Sequence, residues 1–266
     1  MTHPLCLDFL TAVEASPPEL AQLATDNGLG LIGIMVHPVA GVPDFGMASD
    51  TPMRRETRRR CGDLGVAIEL IEGFLLTPET DVAAFRPSFE SGAWLAARSV
   101  NVLMRDPDLA RLADHLAACC ELGREHGIAV GTEWSRRTPL KSPAEAAAFL
   151  GANAPGCQLQ FDSLHVHRAG FSAADIAALD PRIIGRGQFS DGPVEMPVEQ
   201  QFAEALGERM IPGEGQLPLA AFARALPAGT VIGIEVPMTA CKDQGIGPAE
   251  RVARAVAGTR AVLAKA

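Results

Sequence analysis

Acidic and amide side chains recur at the ends of short apolar segments in the second half of the chain. Three such segments end in a carboxylate and one carries an amide, and these side chains are Glu133, Asp162, Gln188 and Glu235. A carboxylate at the end of a buried strand is costly unless a cation or hydrogen-bond donors balance its charge. Three carboxylates and an amide oxygen are hard ligands of the kind that Mg²⁺ and Mn²⁺ prefer. We therefore predict one divalent metal ion here, although any single carboxylate could instead pair with an arginine of the next strand.

The elements that must position these side chains are apolar segments that alternate with helical patterns along the whole chain. Strands are predicted at residues 5–10, 31–36, 66–71, 99–104, 128–133, 157–162, 183–189 and 230–236. Helices are predicted at residues 17–24, 53–64, from about 79, 106–126, 144–150, 172–179, 218–226 and 248–264. Continuously apolar strands separated by helices are typical of a parallel sheet that is buried on both faces.

Eight such units favour a closed barrel over an open sheet. The length of 266 residues is close to the roughly 250 that is typical of a complete (β/α)₈ barrel. An open doubly wound sheet would normally carry a glycine-rich phosphate loop after its first strand, and none is present. No linker or change in composition divides the chain. We predict an α/β fold with a single (β/α)₈ TIM barrel domain over residues 1–266, whose C-terminal mouth carries the strand-end side chains.

The charge balance and the apolar segments narrow the class of partner. The net charge of −9 is opposite to the basic surface that nucleic-acid binding requires, and the one basic run, at residues 54–60, is interrupted by Glu56. No stretch reaches the ~18 apolar residues of a membrane span. Residues 1–8 lack the pattern of a signal peptide. Six scattered cysteines without a CxxC pair are typical of free thiols. We expect a cytoplasmic protein with no nucleic-acid or membrane partner.

The motifs around the strand ends carry a resemblance to a known family. They are Glu133, Phe161-Asp162-Ser163-Leu164-His165, Gln188-Phe189-Ser190-Asp191, Arg209-Met210-Ile211-Pro212-Gly213-Glu214-Gly215 and Ile234-Glu235-Val236. In this order the chain resembles the sugar phosphate isomerase/epimerase family of xylose isomerase-like TIM barrels. That superfamily also includes type IV AP endonucleases, inosose dehydratases and ketose 3-epimerases. The resemblance covers essentially the whole chain and is densest from Glu133 to Glu235.

The resemblance implies a role for each matching position. The metal ligands would be Glu133, Asp162, Gln188 and Glu235, with Mn²⁺ or Mg²⁺ favoured and Co²⁺ or Zn²⁺ as alternatives. Glu133 and Glu235 would also be the catalytic carboxylates, while His165 and Arg209 would bind substrate. Many members carry histidine where this chain has Gln188, and an amide oxygen is a weaker donor than imidazole, so the substitution disfavours zinc.

Five further side chains have two interpretations each. His37 ends the second predicted strand and would either contact substrate or fill a structural, hydrogen-bonded position. Trp134 would either wall the substrate pocket, since sugars pack on aromatic faces, or pack within the barrel. Glu72 ends the third predicted strand, where a rim salt bridge is favoured. Arg168 and Arg186 could hold a phosphate or carboxylate, although we expect surface positions for both.

The function that follows is a metal-dependent isomerase or epimerase acting on a small sugar, keto-sugar or sugar phosphate. A proton next to a carbonyl would be moved through a metal-stabilised enediolate. A dehydratase of a cyclic polyol or keto acid is one alternative, and a non-catalytic sugar-binding barrel is another. A nuclease would need more histidines and a basic groove. The expected partner is a small carbohydrate or polyol, and barrels of this type often associate as homo-oligomers.

Overall fold

Eight parallel strands close into one barrel in the computed structural model, which describes residues 3–266. The strands are β1 Leu5–Asp8, β2 Leu31–Met35, β3 Ala67–Leu76, β4 Ser99–Met104, β5 Ala129–Trp134, β6 Gln158–Asp162, β7 Ile184–Phe189 and β8 Val231–Ile234. Each strand pairs with the next one along the chain, and β8 pairs with β1 to complete the ring. The predicted α/β fold, a (β/α)₈ TIM barrel, is confirmed.

The helices surround this barrel and are more numerous than the sequence indicates. They are α1 Pro17–Asp26, α2 Pro52–Leu64, α3 Arg86–Trp94, α4 Leu109–His126, α5 Pro143–Asn153, α6 Ser163–Arg168, α7 Ala173–Ala177, α8 Gln201–Gly207, α9 Leu219–Ala225, α10 Thr239–Asp243 and α11 Pro248–Leu263. The prediction missed α6, α8 and α10, each of which has only five to seven residues. It also started α3 too early, because residues 82–85 form a separate 3₁₀ turn.

The ends of α4 illustrate how local chemistry sets the boundaries of these elements. The Asp108 side chain accepts hydrogen bonds from the backbone N–H groups of Ala110 (3.0 Å) and Arg111 (3.1 Å), which otherwise have no partner in the first turn. The helix ends at Gly127, whose φ of +68° is the left-handed conformation that glycine adopts without strain. Because the backbone turns there, β5 can begin only two residues later.

The strands are apolar only on the face that meets the helices. In β6, Leu159 and Phe161 are fully buried under helices, whereas the alternate residue Gln160 faces the barrel interior. The interior is polar enough for Arg186 of β7 to reach across the barrel and form a buried ion pair with Glu69 of β3. The expectation of continuously apolar strands is therefore wrong for the inward face, where polar side chains and glycines alternate with the apolar set.

Strand β3 is longer than predicted, and the extension changes the position of Glu72. The strand was predicted to end at residue 71, but it continues to Leu76 through an irregularity in its pairing with β4 between Ile71 and Phe74. Gly73 has a φ of +113° there, and a Cβ at this position would lie within 3.0 Å of the His37 carbonyl. Glu72 consequently lies inside the strand and points toward the barrel.

Two glycines provide the space for the buried ion pair of Asp8 and Arg186. A Cβ on Gly33 would lie 2.7 Å from Oδ1 of Asp8. A Cβ on Gly233 would lie within 3.0 Å of both the Asp8 carboxylate and the Arg186 guanidinium. These glycines lie on the two strands that flank β1 in the ring. The absence of a side chain at Gly33 and Gly233 therefore makes room for the buried charges of Asp8 and Arg186.

None of the helices within residues 3–266 combines the length and the apolar character that crossing a membrane takes. All six cysteines are free thiols; Cys6, Cys61, Cys119 and Cys157 are buried, and the other two are half-buried. A buried thiol behaves as a small apolar side chain, so these residues contribute to packing.

We expect Gly233→Ala to lower the free energy of unfolding by about 1–3 kcal/mol, because the added methyl group displaces a buried ion pair. The matched control is Gly131→Ala in β5, where the new Cβ would meet only ordinary contacts, the nearest at 3.5 Å. That variant should stay within about 1 kcal/mol of the wild type. Urea denaturation followed by circular dichroism measures the stability of both variants. Equal losses of stability would show that crowding of Asp8 is not what destabilises the Gly233 variant.

Candidate active site

The C-terminal ends of the strands surround a cavity of about 540 Å³. Its acidic and basic lining comes from the strand ends and the following loops, and its apolar wall comes largely from α8 and the residues before it. The acidic side chains in the lining are Glu72, Glu133 and Glu235. Val198, Phe202 and Leu206 supply much of the apolar wall and are each more than half exposed. A mouth that combines convergent carboxylates with an apolar wall is typical of a small-molecule site.

Glu133 and His165 form the contact nearest to the open part of the cavity. The Glu133 Oε1 atom lies 3.1 Å from Nε2 of His165. The Glu133 backbone N–H donates to Oδ1 of Asn101 at 3.0 Å, which fixes the end of β5 against β4. His165 is placed by the first turn of α6, whose cap is the Asp162 side chain. The structure thus brings together two side chains that lie thirty-two positions apart in the sequence.

Arg209 lies beneath this pair and connects two of the predicted metal ligands. Its Nη1 is 2.7 Å from Oδ2 of Asp162 and 2.9 Å from Oε2 of Glu235. Its Nε donates to the Ala205 carbonyl at 2.8 Å, so α8 helps to hold the guanidinium. All three charged groups are buried. Arg209 does not line the cavity, and its donors on this side are engaged by protein carboxylates, in contrast to the predicted contact with substrate.

Gln188 is buried among the predicted ligands but presents its N–H groups to them. Its Nε2 donates to Oδ2 of Asp8 at 2.8 Å and to Oε1 of Glu235 at 3.1 Å. Its oxygen accepts a hydrogen bond from Gln160 at 2.7 Å. In this orientation the amide acts as a donor that balances two carboxylates, and its oxygen is already used.

A second group of carboxylates, with Glu235 in common, lies closer together. Asp8, Glu72 and Glu235 each offer one oxygen, and these oxygens lie within 4.8 Å of one another. The Glu72 Oε1 atom is buried and has no hydrogen-bond partner within residues 3–266, so the predicted rim salt bridge of Glu72 is wrong. Three hard oxygen donors, one of them unsatisfied, fit a divalent cation.

No role was predicted for Asp8, and a different one was predicted for Glu72. Asp8 lies within the first predicted strand, two residues after Cys6, and a period of two would have assigned both to the inward face. The bulge in β3 gave no comparable signal, since it depends on how the strand packs against the His37 carbonyl.

Arg186 provides the positive charge at the floor of the barrel. It forms ion pairs with Asp8 and with Glu69 from the opposite side of the ring, and all three side chains are buried. Arg168 is likewise buried and paired, in this case with Glu204 of α8 at 2.6 Å. The expectation of surface positions for Arg168 and Arg186 is therefore wrong, because each satisfies a buried carboxylate.

The electrostatic environment differs sharply between neighbouring carboxylates. Burial raises the pKa of Glu235 to about 8, with Asp8, Asp162 and Glu133 adding to the increase and Arg209 opposing it. Burial and the charges of Glu235 and Asp8 raise the pKa of Glu72 well above its usual value. Burial acts the same way on Asp162, but the positive charge of Arg209, the nearby His165 and two backbone N–H donors together outweigh it and lower the pKa of that carboxyl. Glu72 and Glu235 are therefore the carboxyls whose negative charge the protein compensates least.

Two predicted substrate contacts lie outside the mouth. The His37 ring stacks on Phe74, with 5.3 Å between centroids, and its Nδ1 lies 3.0 Å from the Ser88 hydroxyl. Burial lowers the pKa of His37, which agrees with a structural histidine. The Trp134 ring is buried, donates to the Leu140 carbonyl at 3.2 Å and does not line the cavity. Successive residues of a strand point to opposite faces, so an inward Glu133 requires an outward Trp134.

The loop that carries Arg209 is anchored by Asp191. The buried Asp191 carboxylate accepts four backbone hydrogen bonds, from the N–H groups of Gly192, Gly213, Gly215 and Leu217, at distances of 2.9 to 3.1 Å. Its backbone also pairs with that of Met210, the residue after Arg209. With both oxygens occupied in this way, Asp191 is a structural anchor for residues 210–217.

Comparisons with known proteins agree with this architecture. The profile of a family described as xylose isomerase-like TIM barrel matches residues 3–261. No curated protein matches the sequence. The IolI protein with a bound zinc atom is similar in structure, with a TM-score of 0.78 and 16% identity over 98% of each chain.

Two further similar structures are those of proteins named for an activity. For 3-keto-D-glucoside 4-epimerase YcjR from E. coli the TM-score is 0.73 at 14% identity, over 98% of this chain and 100% of that one. For the probable 3-DHS dehydratase AsbF from Bacillus anthracis it is 0.72 at 16% identity, over 94% of this chain and 97% of that one. At these identities the similarities establish the shared fold.

We expect Asp191→Ala to lower the free energy of unfolding by more than about 2 kcal/mol, because four backbone donors would lose their acceptor. Asp180→Ala is the matched control, since Asp180 is exposed and bonds only to nearby Arg182. Its loss should stay below about 1 kcal/mol. Thermal unfolding of both variants checks this. Limited proteolysis should show the Asp191 variant cut first within residues 210–217, and an unchanged cleavage pattern would contradict the anchoring role.

Proposed function

Because the chain belongs to the xylose isomerase-like TIM barrel family, we propose that it is a divalent-metal-dependent isomerase or epimerase of a small sugar or keto-sugar. The observation that carries the proposal is that Glu133 and Glu235 line one cavity from strands that are not neighbours. Two carboxylates on different sides of a bound carbon can remove and return a proton next to a carbonyl.

The metal ion fits the carboxylate-rich floor of the mouth. When bound, it would supply Lewis-acid stabilisation of the negative charge that develops on the substrate oxygens. We assign it to Glu235 together with Asp8 and Glu72, whose oxygens already converge. The set predicted from the sequence, Glu133, Asp162, Gln188 and Glu235, is the alternative. It is disfavoured because the oxygen of Gln188 already accepts from Gln160, whereas the assigned set includes Glu72, whose buried Oε1 has no partner within residues 3–266.

The protein's own residues perform the proton transfer. Glu133 is oriented by its contact with His165 and by the Asn101 bond at its backbone. Glu235 is oriented by Arg209 and Gln188. If one carboxylate removes the proton and the other returns it, the product is an epimer. If a single carboxylate does both, an aldose and a ketose interconvert. His165 lies within reach of a carbonyl oxygen in the cavity and could polarise it.

Two other functions differ in an observable outcome. A dehydratase would remove the same proton but release a hydroxyl group as water, so the product would be lighter by one water molecule. A sugar-binding barrel without catalytic activity would bind ligand tightly and exchange no proton. A probable dehydratase and an epimerase both share this fold, and their sequence identities to this chain, 16% and 14%, do not favour one activity over the other.

Chelator-treated protein reloaded with Mn²⁺, Mg²⁺, Co²⁺ or Zn²⁺ should bind about one ion per chain through its oxygen ligands. We expect Glu72→Gln to weaken Mn²⁺ binding by more than about tenfold, and Asp162→Asn to weaken it less. Glu125→Gln, an exposed residue that pairs with Arg86, is the control and should leave binding unchanged. If only the Asp162 variant lost binding, the ion would instead be assigned to the set predicted from the sequence. No binding of any of the four ions would overturn metal dependence.

Metal-loaded protein incubated with a panel of ketoses and cyclic polyols in D₂O should incorporate deuterium next to the carbonyl, which proton NMR detects. We expect Glu133→Gln and Glu235→Gln each to reduce the exchange rate by about 10²–10⁴-fold, because each carboxylate is a transfer group. Glu121→Gln on the outer face of α4 controls for general effects of charge. Full exchange in either glutamine variant would show that the residue transfers no proton. A dehydrated product would instead identify the dehydratase.

A further inference from the structure

Three arginines line the mouth on the side of β4 and β5 and have no ion pair. Arg105 directly follows β4, and Arg136 and Arg137 follow β5, so the neighbouring strands bring them to one part of the cavity. Within residues 3–266, no carboxylate lies within salt-bridge distance of any of the three. This sets them apart from the other arginines at the barrel end, Arg168, Arg186 and Arg209, each of which is paired with a buried carboxylate.

Arg105 is the most informative of the three because it is half-buried. The one hydrogen bond of its guanidinium within residues 3–266 goes to the Met104 carbonyl, at 3.1 Å, which leaves most of its five N–H donors without an acceptor in this part of the chain. Burial lowers the pKa of Arg105, and the like charge of Arg137 adds to this effect, while Glu133 opposes it. The nearby Glu133 is in contact with His165 instead. A partly desolvated cation without a partner is unfavourable unless something else supplies the charge.

Arg137 is exposed and makes a cation–π contact that leaves its donors free. Its guanidinium lies over the Phe202 ring of α8, 4.5 Å from the centroid. Its side-chain N–H groups donate to no acceptor within the described part of the chain. Arg136 is more occupied, because it donates to Oε1 of Gln201 at 2.7 Å. Arg105 and Arg137 are therefore the two guanidiniums available to a ligand.

We propose that the substrate carries an anionic group, a carboxylate or a phosphate, which Arg105 and Arg137 bind at this side of the mouth. This inference names the substrate class and rests on the proposed function for the chemistry that follows. A guanidinium offers two parallel N–H donors that match the oxygen pair of either anion. The anionic end would lie against the arginines, so the hydroxyl and carbonyl groups would extend toward Glu133 and Glu235.

The test compares three ligands that differ at C1 only: D-glucitol, D-gluconate and D-glucitol 1-phosphate. Isothermal titration calorimetry on the Mn²⁺-loaded protein should give at least one anion binding more than about tenfold more tightly than D-glucitol. Arg105→Gln and Arg137→Gln should each remove about tenfold of that preference, and Arg105→Lys should restore part of it. Arg182→Gln is the matched control, because Arg182 is highly exposed and pairs with Asp180 next to the start of β7.

Each outcome decides a separate question. Preference for gluconate identifies a carboxylate substrate, and preference for the phosphate identifies a phosphorylated one. Equal binding of all three ligands, or an anion preference that survives both glutamine variants, would overturn the anion site. Titrating Mn²⁺ into every variant shows that the mouth is still folded. If Mn²⁺ fails to bind the wild type while the anion preference persists, the metal-dependent function fails and the anion site stands.

Discussion

Burial of negative charge inside the barrel is the constraint on which the rest of the structure depends. An isolated carboxylate in a protein interior is strongly unfavourable, so each one here requires a nearby cation or donor. At the floor, Arg186 lies between Asp8 and Glu69 and compensates both. The strands can hold this group only because Gly33 and Gly233 leave the space empty. One electrostatic requirement thus links the identities of these residues, which lie on five different strands.

The same requirement gives Arg209 its position. Its guanidinium joins Asp162 to Glu235 and therefore ties the end of β6 to the residue after β8. The loop that supplies Arg209 could move if it were held by this ion pair alone, but Asp191 fixes the following segment through four backbone hydrogen bonds. Charge compensation in the mouth and the rigidity of its loops are consequently parts of one network. A side chain held in this way can orient a neighbouring carboxylate without itself meeting the substrate.

The sequence was sufficient for the architecture because a buried parallel strand and an amphipathic helix have distinct patterns. It also located Glu133, Asp162, Gln188 and Glu235 at one end of the barrel, since the strand ends that follow apolar segments are readable. Those features depend on local chemistry and on topology.

The roles within the mouth could not be derived in the same way. Whether Gln188 presents its oxygen or its N–H groups depends on which carboxylates surround it. The contribution of Glu72 depends on a bulge fixed by packing against the His37 carbonyl. Trp134 differs from these two residues, because its outward position can be derived from the sequence. A strict period of two from an inward Glu133 already indicates it.

Charge is distributed unevenly around the mouth, and this asymmetry connects the two proposals. The carboxylates that lack full compensation come from β3 and the end of β8, while the arginines that lack an ion pair follow β4 and β5. These groups do not neutralise one another within the protein, although Glu133 lies between them. A divalent cation on the acidic side and an anionic substituent on the basic side would each supply a missing charge. A molecule with an anion at one end and oxygen ligands at the other would be bound in a single orientation, which is what proton transfer at one defined carbon requires.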